Sequence, residues 1–170
     1  MRMLMSMLLA GILTGCGFAS VGSDEPGYAR FDLPRGADES FSLTLGPTSL
    51  HLLRWAVDDD AQFAGVEAVR VYTAEGVSFQ PGVESLLRGN AAALRSEGWD
   101  AVVKVRDEGE WTQMLVKIEA GDIVGLVVLS AENEEVVFVN ILGKLTPDTI
   151  PGILDDLDAE VPDVAVTLGI

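Results

Sequence analysis

The chain has very few residues of the types that carry common catalytic and metal-binding chemistry. Its 170 residues include one cysteine and one histidine. A single cysteine excludes an internal disulfide, and any catalytic triad or histidine-based zinc site would depend on His51 alone. The sequence also lacks the phosphate-binding patterns Gly-Lys-Ser/Thr and Gly-x-Gly-x-x-Gly. We therefore predict no catalytic residue, no metal site and no cofactor, and we expect His51 at the surface of a helix.

Basic residues are scarce as well. Lysine and arginine number 11 against 27 aspartates and glutamates, which gives a formal net charge of −16. Nucleic-acid binding requires basic side chains that neutralise phosphates, and anionic lipid surfaces attract basic segments. The charge therefore argues against nucleic acid as a partner and against electrostatic attachment to a membrane. Contact with a membrane would have to come through a lipid.

No apolar run is long enough to span a bilayer, but a shorter run stands at the N-terminus. The chain begins MRMLMSMLLAGILTGC, with Arg2 before an apolar stretch that ends at Gly15. A spanning helix needs roughly 20 apolar residues, whereas a signal peptide has a charged start and an apolar run of this shorter kind. Residues 1–15 are therefore predicted to be an export signal.

The residues at the end of this signal resemble the bacterial lipobox. They read Leu13-Thr14-Gly15-Cys16. The resemblance implies that Cys16 becomes the first residue of the mature protein and carries acyl chains such as palmitate, which would anchor the chain to a membrane. Gly17 stands where lipoproteins of the inner membrane typically have Asp, so we expect the outer membrane, with the domain facing the periplasm. The alternative is an incidental or buried cysteine in an ordinary secreted protein.

The remaining chain divides into a predicted tether, one domain and a tail. Residues 16–40 mix Gly, Ser, Pro and charged residues without a period, which is typical of a flexible linker. The domain is expected over residues 41–160 and a short tail over residues 161–170. Thr48 is the candidate N-cap of a first short helix, and an apolar stripe from Val83 to Leu94 predicts a second helix that ends before Gly98.

Four strand-like segments follow, separated by short polar or glycine-bearing turns. Such spacing predicts consecutive antiparallel hairpins and therefore a four-strand meander. Thr146-Pro147-Asp148 then resembles a helix start before an amphipathic segment. The predicted fold class is α+β: a mostly antiparallel sheet with a C-terminal four-strand meander and about three helices packed on one face. The segments from Ile123 and from Val136 are apolar on both faces, which would leave apolar surface if helices cover one side only. Either a partner covers that surface, or the predicted tether or the C-terminal segment VPDVAVTLGI does.

The meander resembles a bacterial envelope family known as domain-of-unknown-function family 4252, over roughly residues 41–160. The residues that carry the resemblance are Gly98-Trp99, Val103, Val105, Gly121, the run Ile123–Leu129, and Val136 to Asn140-Ile141-Leu142-Gly143, followed by the amphipathic helix. The family has no assigned activity, so the resemblance implies no catalytic residue. It implies only a domain of this type behind the lipobox.

Three kinds of function remain open. The first is a lipid-anchored, non-enzymatic module of the bacterial envelope that binds an envelope protein or a small ligand. The second is a small hydrolase that uses paired carboxylates, and the third is a purely structural lipoprotein. Acidic clusters that bind calcium and tryptophans that line a ligand site are further possibilities, although solvated turns and core packing are the ordinary roles of such residues. These residues are Asp58-Asp59-Asp60, Glu132-Glu134-Glu135, Asp155-Asp156-Asp158-Glu160, Trp55, Trp99 and Trp111.

Overall fold

The computed structural model describes residues 21–56, 64–77, 81–107, 109–132 and 134–147. This part of the chain contains six strands and two helices. In chain order they are β1 (Glu39–Leu45), α1 (Pro47–Ala56), β2 (Val66–Glu75), α2 (Pro81–Ser96), β3 (Trp99–Asp107), β4 (Glu110–Glu119), β5 (Asp122–Glu132) and β6 (Glu135–Leu145). Neither helix is long and apolar enough to span a membrane.

The six strands form one antiparallel sheet in the order β1-β2-β6-β5-β4-β3. Strands β3 to β6 are the consecutive hairpins that the short polar turns predicted. Strand β2 pairs with β6, so the antiparallel pair of β1 and β2, which are connected through α1, extends the meander on the β6 side. Strands β6 and β5 therefore lie in the middle of the sheet, as their apolar sequences require.

The prediction of three helices packed on one face is wrong. Within the described residues there are two helices, and they lie on opposite faces. Leu50 of α1 belongs to one apolar cluster of the sheet, whereas Leu87, Ala91 and Leu94 of α2 belong to the other. The physical reason is that β5 and β6 are apolar on both sides, so each face needs a cover. The predicted third helix, after Thr146, lies outside the described residues.

Helix α1 begins two residues earlier than the sequence predicts. Thr48 is inside the helix, and the first intrahelical hydrogen bond runs from the Leu50 N–H to the carbonyl of Gly46. Gly46 is therefore the N-cap, and Pro47 occupies the first helical position, where its missing N–H costs nothing. Helix α2 ends before Gly98, which has a φ of +87°, as expected for the residue that follows a helix.

Residues 27–37, hereafter the strap, lie across the face of the sheet that also carries α2. Ala29 is fully buried in the apolar cluster of this face, and Phe31 and Ala37 pack against the same cluster. The Phe31 ring lies 5.1 Å from the ring of Phe138. This packing differs from the flexible tether predicted over residues 16–40, because the strap uses small and isolated apolar side chains that have no sequence period. We call this side of the sheet the strap face and the other side the α1 face.

Candidate functional site

The strap is attached to the sheet by a buried asparagine. Asn140 on the central strand β6 is fully buried. Its Oδ1 accepts the Ala29 N–H at 3.0 Å, and its Nδ2 donates to the Gly27 carbonyl at 2.9 Å. The side-chain amide therefore pairs with the strap as a neighbouring strand would, and it satisfies two main-chain groups that water does not reach.

A second asparagine attaches the strap to helix α2. The Asp32 N–H donates to Oδ1 of Asn90 at 2.7 Å, and Nδ2 of Asn90 donates to the Asp32 carbonyl at 2.9 Å. Asn90 is itself buried. The strap is thus bound on one side by the sheet and on the other by the helix, which gives it two independent attachments.

Arg70 of strand β2 completes the contact between the strap and the sheet. Its Nη1 donates to the Ala29 carbonyl at 2.7 Å and to Oδ1 of Asn140 at 3.3 Å. The guanidinium also lies 4.1 Å from the centre of the Tyr28 ring, a distance at which a cation is attracted by the face of an aromatic ring. Arg70 therefore joins the main chain and an aromatic side chain of the strap to the sheet.

The strap approaches the sheet most closely at Gly125. A Cβ atom at this position would lie 2.6 Å from Cα of Gly27, 2.8 Å from Cη2 of Trp99 and 2.9 Å from the Gly27 oxygen. No side chain fits in that space, so glycine is required by close approach rather than by backbone conformation. Gly125 and Asn140 are both part of the pattern that carries the family resemblance, and both contact the strap.

The strap runs along the strands, from one end of the sheet to the other. It begins at Gly27 beside Gly125, and it ends where the Asp38 N–H donates to the carbonyl of Glu75. Gly125 and Glu132 mark these two ends on β5, and seven residues of strand correspond to about 23 Å. The residues just before the strap, Asp24, Glu25 and Pro26, line a cleft at this same Gly125 end.

The α1 face carries an exposed apolar strip near the Glu132 end of the sheet, which is the end farther from Gly125. Phe41 and Leu43 on edge strand β1 are 57% and 37% exposed. The residues that lie opposite Phe41 on the successive strands are half-buried valines, threonines and a serine. Two of them are hydrogen-bonded, with Oγ1 of Thr112 2.8 Å from Oγ of Ser130. We define the strip as Phe41, Leu43, Thr73, Val137, Ser130, Thr112 and Val105.

A row of carboxylates borders this strip at the Glu132 end of the sheet. One acidic residue from each strand lies opposite an acidic residue of the next strand, so the row crosses all six strands. All but Glu110, which is half-buried, are exposed. The carboxylate row consists of Glu39, Glu75, Glu135, Glu132, Glu110 and Asp107.

The carboxylate row places like charges opposite one another. Side chains directly opposite on neighbouring strands lie about 5 Å apart, and like charges at that separation repel. The basic side chains nearest in the strands, Lys104 and Arg106, lie on the strap face, where Arg106 pairs with Glu84 at 3.0 Å. A costly feature of this extent points to a role outside folding, since binding surfaces often conflict with the local rules of stability.

Substituting a member of the row tests this repulsion. Glu135 faces Glu75 on one side and Glu132 on the other. We expect Glu135→Gln to raise the midpoint of urea unfolding, and we expect the gain to shrink as salt screens the charges. Asp100→Asn, an exposed change on β3 that faces Val116 and not an acidic residue, is the matched control. An unchanged or lower midpoint for Glu135→Gln would contradict the repulsion.

The residues singled out from the sequence fall in several places. His51 is exposed on α1. Trp99 and Trp111 are buried in the core of the strap face, and Trp99 also borders a cleft at the Gly125 end of the sheet. The buried Trp111 Nε1 finds no hydrogen-bond partner within the described residues. Cys16, the Asp58 cluster and the Asp155 cluster lie outside the described residues, as does the side chain of Trp55.

Carboxylates also line a cleft at the Gly125 end. The cleft measures about 280 Å³ and includes Asp24, Glu25, Glu97 and Glu119, with Lys117 among them. Nζ of Lys117 donates to the Glu97 carbonyl. Across the residues that the structure covers, no three histidine, cysteine or acidic side chains are arranged to hold a metal ion. The four carboxylates are exposed, and so lack the burial by which enzymes commonly prepare a general acid.

Comparison with known proteins identifies a family whose function is unknown. The family model described as a domain of unknown function, DUF4252, matches residues 35–153. The match includes all six strands and helices α1 and α2, while most of the strap lies before it. No curated protein and no solved structure matches the chain. The chain belongs to the DUF4252 family of domains of unknown function.

Proposed function

We propose that the protein is a lipid-anchored, non-enzymatic interaction module of the bacterial envelope, and that it docks a partner on the apolar strip of its α1 face. Cys16 carries the lipid, and the outer membrane, with the domain in the periplasm, is the expected location. The observation that carries the docking role is the exposure of Phe41 and Leu43 beside half-buried valines. Apolar surface of this kind gains free energy when a partner covers it.

The direction of the strap supports this arrangement. A lipid on Cys16 is joined to the domain at the Gly125 end of the sheet, because Gly27 is seated there. The strip and the carboxylate row lie toward the other end. The lipid would therefore hold one end of the sheet near the bilayer and leave the strip facing the compartment. The same arrangement keeps the carboxylates away from anionic head groups, which would repel them.

Photocrosslinking from single positions tests the docking role in cells that make the protein. A photoreactive phenylalanine analogue replaces Phe41 on the α1 face or, as a matched control, Lys104, which is exposed on the strap face. We expect a discrete adduct from position 41 and none from position 104, because a docked partner covers one face only. Identical adducts from both positions, or none from position 41, would contradict the proposal.

A further inference from the structure

We infer that the partner presents a basic amphipathic helix, which lies across the strands with its apolar side on the strip and its basic side chains along the carboxylate row. This inference rests on the proposed docking role, and it adds the chemistry of the partner. It follows from the position of the row, which runs beside the strip over the full width of the sheet. A partner that covers the strip must also meet the carboxylates.

The spacing of the carboxylates fits a helix. Neighbouring strands lie about 4.8 Å apart, so the row has a repeat of about 4.8 Å and a length of about 24 Å. An α-helix presents residues i, i+4 and i+7 on one side with a pitch of about 5.4 Å, and about 16 residues span 24 Å. Lysine or arginine at these positions would meet the acidic residues of successive strands. The adjacent helical stripe would then face the strip, two residues farther along each strand.

Charge argues against two other occupants. A second copy of the chain carries the same net charge of −16, so it is repelled by the row and not attracted to it. The chain beyond Lys144 contains no lysine or arginine and six acidic residues, at positions 148, 155, 156, 158, 160 and 163. Neither supplies a basic segment that could lie along the row. A different protein would have to supply one.

The test uses the full chain in nanodiscs of neutral lipid, so that a basic probe has no anionic lipid to bind. The probe is a fluorescent 18-residue helical peptide with lysines at i, i+4 and i+7 spacing and an adjacent leucine stripe. A peptide of the same composition, with its lysines distributed around the helix, is the control ligand. We expect the patterned peptide to bind, the scrambled peptide to bind at least about fivefold more weakly, and affinity to fall as salt rises.

Paired substitutions then locate the binding. Glu75→Gln with Glu135→Gln removes two facing carboxylates from the centre of the row. We expect a loss of affinity of about five- to tenfold, since each exposed ion pair contributes modestly. Glu119→Gln with Asp122→Asn removes a facing pair at the other end of the sheet, changes the net charge equally, and is expected to alter affinity by less than about twofold. Equal losses for the two pairs would overturn the inference.

Phe41→Ser separates failure of the inference from failure of the docking role. Loss of binding in Phe41→Ser and in the double glutamine variant supports both. If the patterned peptide fails to bind, or binds without regard to the row, the basic helix is refuted. The docking role is then decided by the photocrosslinked adduct from position 41 in cells. An adduct that persists in the Glu75→Gln, Glu135→Gln variant supports docking by a non-basic partner. If position 41 gives no adduct, docking on the strip is refuted as well.

Discussion

Asn140→Leu is expected to lower the free energy of unfolding by about 3 kcal/mol, because an unpaired buried main-chain group costs about 1–3 kcal/mol and this substitution leaves two. They are the Ala29 N–H and the Gly27 carbonyl, which the side-chain amide now pairs. Leucine has a similar volume, so the loss reports on hydrogen bonding and not on a cavity. Urea unfolding followed by circular dichroism measures it.

Hydrogen exchange shows whether the loss is located in the strap. In Asn140→Leu the Ala29 amide should lose its protection, since its acceptor is gone. Asn90→Ala is the comparison variant: it removes the acceptor of the Asp32 amide and leaves that of Ala29 in place. A loss of less than about 1 kcal/mol in Asn140→Leu, with Ala29 still protected, would show that the strap does not depend on this asparagine.

Gly125→Ala is the second large effect, with an expected loss of about 3 kcal/mol, at the upper end of what overpacking costs. The added methyl would overlap the Gly27 main chain and the Trp99 ring, at 2.6 Å and 2.8 Å, and neither is the movable end of a flexible side chain. The strap must shift for the methyl to fit. The shift would also disturb the Asn140 hydrogen bonds at Gly27.

A second glycine provides a control of opposite sign. Gly89 lies within helix α2, and a Cβ there would meet nothing within 4 Å. Gly89→Ala should raise the free energy of unfolding by about 0.5–1 kcal/mol, because alanine loses less conformational freedom in a helix. If Gly125→Ala were as harmless as Gly89→Ala, the close approach of the strap to the sheet would be refuted.

The four strands of the meander and their hairpins could be predicted from local patterns, but the distribution of helices could not. Short polar turns set apart β3 to β6, and each turn joins neighbours in the sheet. The pairing of β2 with β6 links residues about 70 positions apart, as at Arg70 and Asn140, and no local pattern encodes it. The apolar character of β5 and β6 on both faces did carry a signal for helices on opposite sides.

The strap was missed because its contacts are made by main-chain groups and small side chains. Ala29 is buried and Gly27 is in close contact, yet neither contributes an apolar period. The buried asparagines that bind the strap look like ordinary polar residues in the sequence. Only their positions, Asn140 within an apolar strand and Asn90 within the apolar stripe of α2, distinguish them from surface residues.

The carboxylate row was partly visible in the sequence. Asp107 and Glu110 flank one hairpin turn, and Glu132 and Glu135 flank another, so each hairpin places its two acids opposite one another. The extension to Glu39 and Glu75 depends on the long-range pairing of β1, β2 and β6. The apolar strip shares that dependence, since Phe41 joins it only through the register of β1.

The lipid on Cys16 is the claim on which the membrane location of the module depends, and its most direct measurement is metabolic labelling with a fatty-acid analogue. We expect the wild-type protein to take up the label and to be found in the membrane fraction. We expect Cys16→Ala, which removes the only thiol in the chain, to be unlabelled. Label retained in Cys16→Ala, or a wild-type protein that never takes up label, would refute lipid attachment at Cys16.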